Sequence, residues 1–511
     1  MGLLSAPENE FARAISRLIY ANPFLPERIE AERDALAADF VREGADWNLQ
    51  PGDAGPANSP AQPNLALLRK RVDALVEKLA SAWPESGSRI AATESENFTD
   101  LVLFSLFHRF CARFDETLAG GESAGTYRAP YYREFLAETE RLLRRPGVSL
   151  LDECPPEALF AFFFQVRRAF LHIHRSLVGA SRPMAQLRAT IWQSVFTHDL
   201  RRYRRCLFSR MGEITTLITG ESGTGKDVVA RILAFSRHLP FDSRRGLFAS
   251  QPDQLFFPLN IAALSPTLVE SELFGHRRGA FTGALADRAG WLEVCPPEGT
   301  VFLDEIGEVD ASIQVKLLRV LQSRGFQRLG ETENRRFAGR IVAATNRDLE
   351  AAIRAGRFRE DFFFRLCGDQ IAAPSLREQL ADTPADLALL IGIIAKRLVG
   401  DIEAPAVAAE VLDWIRRNLG DAYPWPGNFR ELEQCVRNIL LRREYRPRAI
   451  APAADAPNWD TIFATGSWTA EQLLAHYCRS VYSQTNNIEE TARRLDLDRR
   501  TVKAKLANPN T

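Results

Sequence analysis

The sequence has no run of about 18 or more apolar residues, which excludes an ordinary membrane-spanning helix. Its N-terminus, MGLLSAPENEFARA, lacks the basic patch followed by an apolar stretch that marks a secretory signal. Cysteine is sparse: residues 111, 154, 206, 295, 367, 435 and 478 are scattered, odd in number and never spaced as CxxC. That usage excludes a disulfide framework and a cysteine-based metal site, and fits a reducing compartment with cysteines as core fillers. An excess of one charge is missing too. Lys+Arg and Asp+Glu both number 65, so any surface for nucleic acid or membrane is local. A cytoplasmic chain without membrane attachment is expected, and 511 residues imply about three domains.

What is present divides along the chain. Residues 1–185 space apolar residues at three and four, as in LALLRKRVDALVEKLASAW and PEALFAFFFQVRRAFLHIHRSL, and read as a helical N-terminal domain. Prolines, glycines and small polar residues interrupt it in a linker-like stretch, 46–63. Residues 186–378 carry short β-branched runs alternating with helical patterns. ITTLITG, FFPLNIAAL, GTVFLDEIGEV and GRIVAATN are the candidate strands of a buried parallel sheet. Helical periodicity returns over 379–447, a Pro/Ala-rich linker covers 448–466, and a last helical segment occupies 467–511.

The chemistry concentrates in the α/β part. Gly220-Glu221-Ser222-Gly223-Thr224-Gly225-Lys226 follows the apolar run ITTLIT and precedes the helical DVVARILAF. Strand, glycine loop and helix together make a phosphate-binding loop: backbone N–H groups face the phosphates, the helix N-terminus adds positive potential, and Lys226 reaches the outer phosphates. After the lysine stands Asp227 rather than the Ser or Thr that normally helps hold magnesium. Val301-Phe302-Leu303 ends in Asp304 and Glu305. Asp304 is placed to hold magnesium through its water shell, and Glu305 to polarise water for in-line attack on a γ-phosphate. Arg340 to Thr345 ends in Asn346, a polar side chain where the γ-phosphate or its attacking water would lie. Trp192, Phe196 and Tyr203 precede the loop and are candidates to pack near an adenine.

At the C-terminus, NNIEETARRLDLDRRTVKAKL reads as helix, turn and helix, with Asp498 as N-cap of the second. Arg499, Arg500, Thr501, Lys503 and Lys505 are expected to face outward and meet DNA. At the other end, the aromatic cluster from Phe160 to Phe170 reads as core, and His172 and His174 project from different helix faces. The basic run Arg201, Arg202, Arg204, Arg205 reads as a solvated or interdomain face.

GESGTGKD, ELFGHRRGAFTGA, GTVFLDEIGE, VKLLRVLQ, IVAATNRDL, FREDFFFRL and YPWPGNFRELE occur in this order. Over about 208–445 the chain thereby resembles the AAA+ ATPase domain of bacterial sigma-54-dependent transcriptional activators, the enhancer-binding proteins. In that family an acidic residue after the lysine is usual. The C-terminal segment resembles the Fis-type DNA-binding domain of the same activators, with Asp496 in place of the family's turn glycine.

The resemblance implies a multidomain α and α/β fold: a helical N-terminal domain, an AAA+ P-loop core with a helical lid, and a C-terminal helix-turn-helix. It implies an ATPase using ATP and magnesium. Asn260 matches the residue that holds the catalytic glutamate until nucleotide state releases it. Thr345 and Asn346 match the γ-phosphate sensor, and Arg359 and Arg365 the pair from which an arginine finger enters a neighbouring subunit. Arg430 matches the second sensor, on the lid. Gly279, Ala280, Phe281, Thr282, Gly283 and Ala284 match the loop that contacts sigma-54, with Phe281 and Thr282 at its tip. The implied partners are the sigma-54 RNA polymerase holoenzyme, double-stranded enhancer DNA and further copies of the chain, a hexamer when active and a dimer at rest. The alternative is an AAA+ DNA-binding regulator or repressor that does not contact sigma-54, against which the intact Phe-Thr loop argues. CGDQIAAPSLREQ and IWQSVFTHDLRRYRR depart from the family's usual segments at those places. The N-terminal region shows neither the acidic strand-end cluster of a phospho-receiver domain nor a second glycine-rich loop, and its signal is not legible.

Overall fold

The computed structural model describes residues 3–42, 63–84, 90–208, 210–249, 255–447, 466, 468–485 and 487–507. The stretches expected as linkers, 46–63 and 448–466, lie outside them, except Pro63, which opens a helix, and Gly466. The chain forms two compact units, Met1–Glu444 and Tyr445–Thr511.

The first unit begins with helices α1 (Ala6–Tyr20), α2 (Glu27–Leu36), α3 (Pro63–Ala82), α4 (Ala92–Ala124), α5 (Tyr132–Leu143), α6 (Pro156–Ser176) and α7 (Arg182–Phe196). A parallel sheet follows, built from β1 (Thr216–Thr219), β2 (Phe256–Asn260), β3 (Thr300–Asp304), β4 (Arg340–Thr345) and β5 (Asp369–Ala372) in the order β5-β1-β4-β3-β2. Helix α8 (Lys226–Phe235) follows β1, α9 (Pro266–Phe274) follows β2, α10 (Ala311–Ser323) follows β3, and α11 (Glu360–Leu366) lies between β4 and β5. The lid comprises α12 (Leu376–Asp382), α13 (Asp386–Asn418), which breaks at Gly400 where φ is 79°, and α14 (Asn428–Arg442). Four of the five strands lie in the candidate runs. The fifth, DQIA, sits in the segment that departs from the family pattern.

Successive residues of a strand point to opposite faces, so a sheet buried on both sides shows continuous apolar runs. Val301, Leu303, Ile341 and Ala343 face one core with α9 and α10. Phe302, Val342 and Ala344 face the other, which runs without interruption into α1–α7. The helical N-terminal part therefore shares its core with the sheet. Helix α6 is the joint: Phe164 stacks on Phe248 at 4.0 Å and Phe160 meets Phe241 at 4.7 Å, both on a small hairpin after α8. Phe135 packs edge-on against Phe160 at 4.9 Å. Each such pair adds about 0.5–1.5 kcal/mol beyond the area it buries. The candidate aromatic neighbours of an adenine belong to this core instead. Trp192 packs on Phe24 at 6.0 Å, Phe196 on Tyr203 at 5.2 Å, and the Tyr203 hydroxyl is 2.7 Å from Gln165 Nε2, so burial withdraws all three from any ligand.

Both departures from the family pattern meet at one buried cation. Arg340, at the start of β4, is 2% exposed, and its Nη2 donates to Ser194 Oγ (3.1 Å) on α7 and to Thr216 Oγ1 (2.6 Å) on β1. Asp369, at the start of β5, accepts from both hydroxyls, at 2.5 Å from Ser194 and 3.1 Å from Thr216. A buried charge needs a countercharge or hydrogen bonds, and here Asp369 and the two hydroxyls supply them. Gly368 lets the chain pass close by, since a Cβ there would lie 3.0 Å from the Thr215 carbonyl oxygen. Arg201, in the basic run, pairs with buried Asp100 of α4 at 2.5 Å, within the first unit.

A second junction joins the helical part to the lid. Buried Asp386, first residue of α13, accepts from the N–H of Ala180 (2.9 and 3.0 Å) and of Ser181 (3.2 Å). Asp382 accepts from the Arg182 N–H at 2.9 Å. The intervening loop is shaped from within by Arg188, whose Nη1 donates to the carbonyls of Leu177 and Gly179, both at 2.9 Å. Burial pushes the Arg188 guanidinium down to about 10, opposed by the Asp386 charge. Asp386→Ala leaves two enclosed N–H groups without an acceptor and is expected to cost about 2–5 kcal/mol, whereas Asp386→Asn, retaining one carbonyl oxygen, costs roughly half as much. The denaturant midpoint of each purified variant against wild type checks both.

The second unit contains α15 (Ala470–Thr485), α16 (Ile488–Leu495) and α17 (Arg499–Ala507) around Ala475, Cys478, Ala492 and Val502. Asn487 caps α16 by accepting from the Glu489 N–H at 2.8 Å. Asp496 takes the left-handed conformation (φ 52°) at the turn, a place that Asp tolerates better than most residues.

Candidate functional site

The parallel register decides which residues meet at the carboxyl edge of the sheet. Thr219 pairs with Thr345, so Asn346 leaves β4 beside Gly220 leaving β1. Asn260 pairs with Asp304 across β2 and β3. The glycine loop, the two carboxylates and Asn346 thus share one rim, the usual place for a ligand in an open α/β sheet.

Gly220, Gly223 and Gly225 have φ of 151°, 80° and 84°, conformations open to glycine and strained in other residues. Close approach adds a second constraint: a Cβ on Gly220 would lie 2.7 Å from the Ala373 carbonyl oxygen, and one on Gly223 2.4 Å from that of Gly427. Lys226, first residue of α8, is buried and donates from Nζ to the carbonyls of Gly220 (2.9 Å) and Glu221 (3.0 Å). Burial pushes its ammonium below the usual lysine range, against the opposing pull of Glu305 and Asp304. Asp304 is held above the ordinary carboxylate range by burial, although the Glu305 N–H donates to its Oδ1 at 3.0 Å. The Asn260 amide lies 3.5 Å from Asp304 Oδ2, so its contact here is with Asp304 rather than Glu305. Glu305 itself takes a left-handed backbone (φ 56°, ψ 48°) that turns it out of the strand direction. Strain of this kind in a non-glycine residue costs about 1–3 kcal/mol and is concentrated at functional sites. Thr345 is buried and accepts from the Arg347 N–H at 3.1 Å, whereas Asn346 is exposed and makes no side-chain hydrogen bond among the described residues.

For a metal, Asp304, Glu305 and Asp227 offer hard carboxylate oxygens. No group of three or more His, Cys, Asp or Glu side chains that could hold a metal occurs among the described residues. Magnesium suits such a site, because it is commonly held by one or two carboxylates with the remainder of its shell from water and phosphate.

The lid reaches the phosphate loop directly. Arg430 Nη1 lies 3.3 Å from Ser222 Oγ, and the Glu221 carboxylate, expected at the nucleotide, accepts from Asn428 (3.0 Å) and Arg377 (3.2 Å). Arg359 and Arg365 are exposed, and neither touches the phosphate loop, Asp304 or Glu305 of its own chain. Arg359 pairs with Asp361 at 2.8 Å. Two contributors escaped the sequence reading. Gln314, buried in α10, accepts from the Arg359 N–H at 2.9 Å and donates to the Val309 (3.0 Å) and Arg357 (3.1 Å) carbonyls, fixing the backbone around Arg359. Its signal was a glutamine between Ile313 and Leu317 on an apolar face. Asn428 is the other, visible only as the residue before Phe429 and Arg430.

The Phe-Thr loop rises from the paired strands Gly275–His276 and Arg288–Ala289. Gly279 and Gly283 have φ of 82° and 102°, and the Gly279 N–H donates to the Ala284 carbonyl at 2.9 Å, which folds the chain back. Phe281 lies edge-on to His276 at 5.0 Å and is half-buried, while Thr282 is exposed. The folded posture is braced by a neighbouring hairpin: Arg277 pairs with Asp287 (2.5 Å) and Glu331 (2.8 Å), and Ala280 abuts Gly330.

In the second unit, Arg500 and Lys503 are exposed and form no ion pair among the described residues. Arg499 pairs with Glu489 at 2.7 Å, and Thr501 is half-buried. Lys505 does not face outward as expected: its ammonium donates to Glu471 Oε1 at 2.5 Å and its side chain is 19% exposed, because the residue lies on the side of α17 that packs against α15.

Residues 195–372 match the family described as Sigma-54 interaction domain. The Nif-specific regulatory protein of Azotobacter vinelandii is 42% identical over 230 residues, 45% of this chain and 40% of that protein. The transcriptional regulatory protein ZraR of Klebsiella oxytoca is 40% identical over 305 residues, 58% of this chain and 63% of that protein. The chain therefore spans less than two thirds of the length of these curated relatives. A solved structure of NtrX from Brucella abortus in complex with ATP is 28% identical, covers 65% of this chain and 68% of that chain, and has a TM-score of 0.39.

Gly223→Ala places a Cβ against the Gly427 carbonyl and parts the phosphate loop from the lid. The expected outcome is a nucleotide affinity lower by roughly tenfold or more with the fold retained, read by titration of a fluorescent ATP analogue alongside circular dichroism.

Proposed function

We propose, from the match of residues 195–372 to the Sigma-54 interaction domain, that this chain is a sigma-54-dependent activator with an AAA+ core that binds upstream DNA and couples ATP hydrolysis to opening of the sigma-54 RNA polymerase closed complex. The observation that carries the reading is the common rim: phosphate loop, Asp304, Glu305 and Asn346 meet there, and the segment leaving β2 at Asn260 leads into the braced Phe-Thr loop.

In this reading the phosphate-loop N–H groups and Lys226 bind the phosphates of ATP. Glu305 orients water in line with the γ-phosphate, and Asn346, with its amide unengaged, holds that water or the phosphate. Asp304 would hold magnesium through its water shell, and the metal would supply positive charge against the phosphate oxygens. Arg359 and Arg365, exposed and not in contact with the rim of their own chain, act in a neighbour's site, so the active form is a ring, hexameric in this reading and assembled from a resting dimer. A finger supplied this way contributes about 10³–10⁵ in rate. Asn260 beside Asp304 transmits the nucleotide state toward the loop, and Arg430 transmits it to the lid. Release of Phe281 from His276 presents Phe281 and Thr282 to sigma-54. The protein works in the bacterial cytoplasm; no helix of the described residues is long and apolar enough to cross a membrane.

Two outcomes test this. With the sigma-54 holoenzyme on promoter DNA, wild type forms open complexes only with hydrolysable ATP, and Thr282→Ala keeps its ATPase rate but loses opening by about tenfold or more. ATP hydrolysis by wild type without opening of any such promoter replaces this reading with an AAA+ DNA-binding regulator that does not contact sigma-54. For DNA, Arg500→Ala and Lys503→Ala should each weaken binding and reduce the salt-dependence slope by about 1, whereas Lys505→Ala, already committed to Glu471, should change both less. Fluorescence anisotropy across a salt series measures it.

A further inference from the structure

We propose that Asn428 is a positioning residue for the nucleotide site: it holds the phosphate loop in its binding shape from the lid side without touching the nucleotide. The inference rests on the reading of this rim as an ATP site.

Asn428 is fully buried at the first position of α14 and takes the left-handed conformation with φ 51°. Its Oδ1 accepts from the Leu376 N–H at 2.8 Å, the first residue of α12. Its Nδ2 donates to Glu221 Oε2 at 3.0 Å and to the Ser222 carbonyl at 3.1 Å. One residue on, the Phe429 N–H donates to the Gly223 carbonyl at 3.0 Å. Residues 428–429 thus capture two consecutive phosphate-loop carbonyls.

The peptide group is planar and trans, so its C=O and N–H point in opposite directions. Drawing the Ser222 and Gly223 carbonyls out to the lid turns the Gly223 and Thr224 N–H groups the other way, into the space the loop encloses. An asparagine does this where an aspartate cannot: the acceptors are a carboxylate and a carbonyl, and the third partner is a donor, so the position needs one amide N–H₂ and one oxygen. The turn before it is itself held, since Glu431 accepts from the Gly427 N–H (2.7 Å) and the Tyr423 hydroxyl (2.6 Å). Arg430, two residues along, takes its place above Ser222 from the same anchor.

The test is titration of the full-length chain with a fluorescent magnesium-ATP analogue, together with the KM and kcat for ATP. Asn428→Gly tolerates the left-handed backbone and removes only the amide, and Asn428→Asp sets a carboxylate against Glu221. Both are expected to weaken binding by about tenfold or more and to raise KM proportionately more than they lower kcat. Adding Glu221→Gln to Asn428→Asp restores a donor facing an acceptor at that contact, while the Ser222 carbonyl still lacks its donor, and should recover part of the lost affinity, a rescue that general destabilisation does not produce. Lys226→Ala separates the two levels. If Lys226→Ala abolishes binding while both Asn428 variants bind like wild type, or if Glu221→Gln gives no recovery, the role of Asn428 is overturned and the ATP site stands. If Lys226→Ala binds like wild type, the site reading falls, and this inference with it.

Discussion

A phosphate loop has to hold several backbone N–H groups pointing at one space, and no strand or helix does that unaided. At Gly220, Gly223 and Gly225 the chain takes conformations that glycine accepts at little cost, and at Gly220 and Gly223 neighbouring carbonyls stand where a Cβ would be. The loop is therefore shaped as much by its surroundings as by its own residues. Strand β1 supplies the departure point, α8 the helix N-terminus, and the lid turn at Gly427-Asn428-Phe429 the outer wall. The rim residues depend on that geometry: strand order brings β4 beside β1 and β3 beside β4, which carries Asn346, Asp304 and Glu305 to the same edge.

Buried charge organises the layer beneath. Arg340 lies under the sheet where α7, β1, β4 and β5 converge, and Asp369 with two hydroxyls compensates it. CGDQ and IWQSVF look unrelated as departures from a family pattern, yet they supply two sides of this one cluster. A helical layer that shares its core with the sheet needs different residues at the contact from a sheet face covered some other way. The same logic applies at Asp386, where a helix N-terminus of the lid grips the loop between α6 and α7. The N-terminal helices thus touch both the sheet and the lid, the two parts that frame the nucleotide rim.

How far the chain could be read from its letters depended on the range of the interaction. Helical periodicity, the glycine loop and the strand ending in Asp304-Glu305 are local patterns, and they placed four strands and the candidate rim. DQIA escaped because a short edge strand with two polar residues carries almost no signal until a partner strand fixes it. Trp192, Phe196 and Tyr203 looked like ligand neighbours because they are near the loop in sequence; in space they turn toward Phe24 in the α1–α2 connection, toward α6 and toward each other. Lys505 misled in the same way, since a basic residue on a short helix has no evident direction until Glu471 stands opposite it.

By itself the sequence determined where the candidate chemistry lies: a phosphate loop needs its glycines and lysine in one contiguous stretch, and a strand followed by two carboxylates is equally local. Tertiary structure alone decided what holds that chemistry in place. Asn428 meets Glu221 and Ser222 across more than two hundred residues of chain, Gln314 meets Arg359, and Phe281 lies down on His276. These are contacts between single polar or aromatic groups, and a single group has no periodicity. Its partner is chosen by packing, which assigns one neighbour among many that would serve equally well in the sequence.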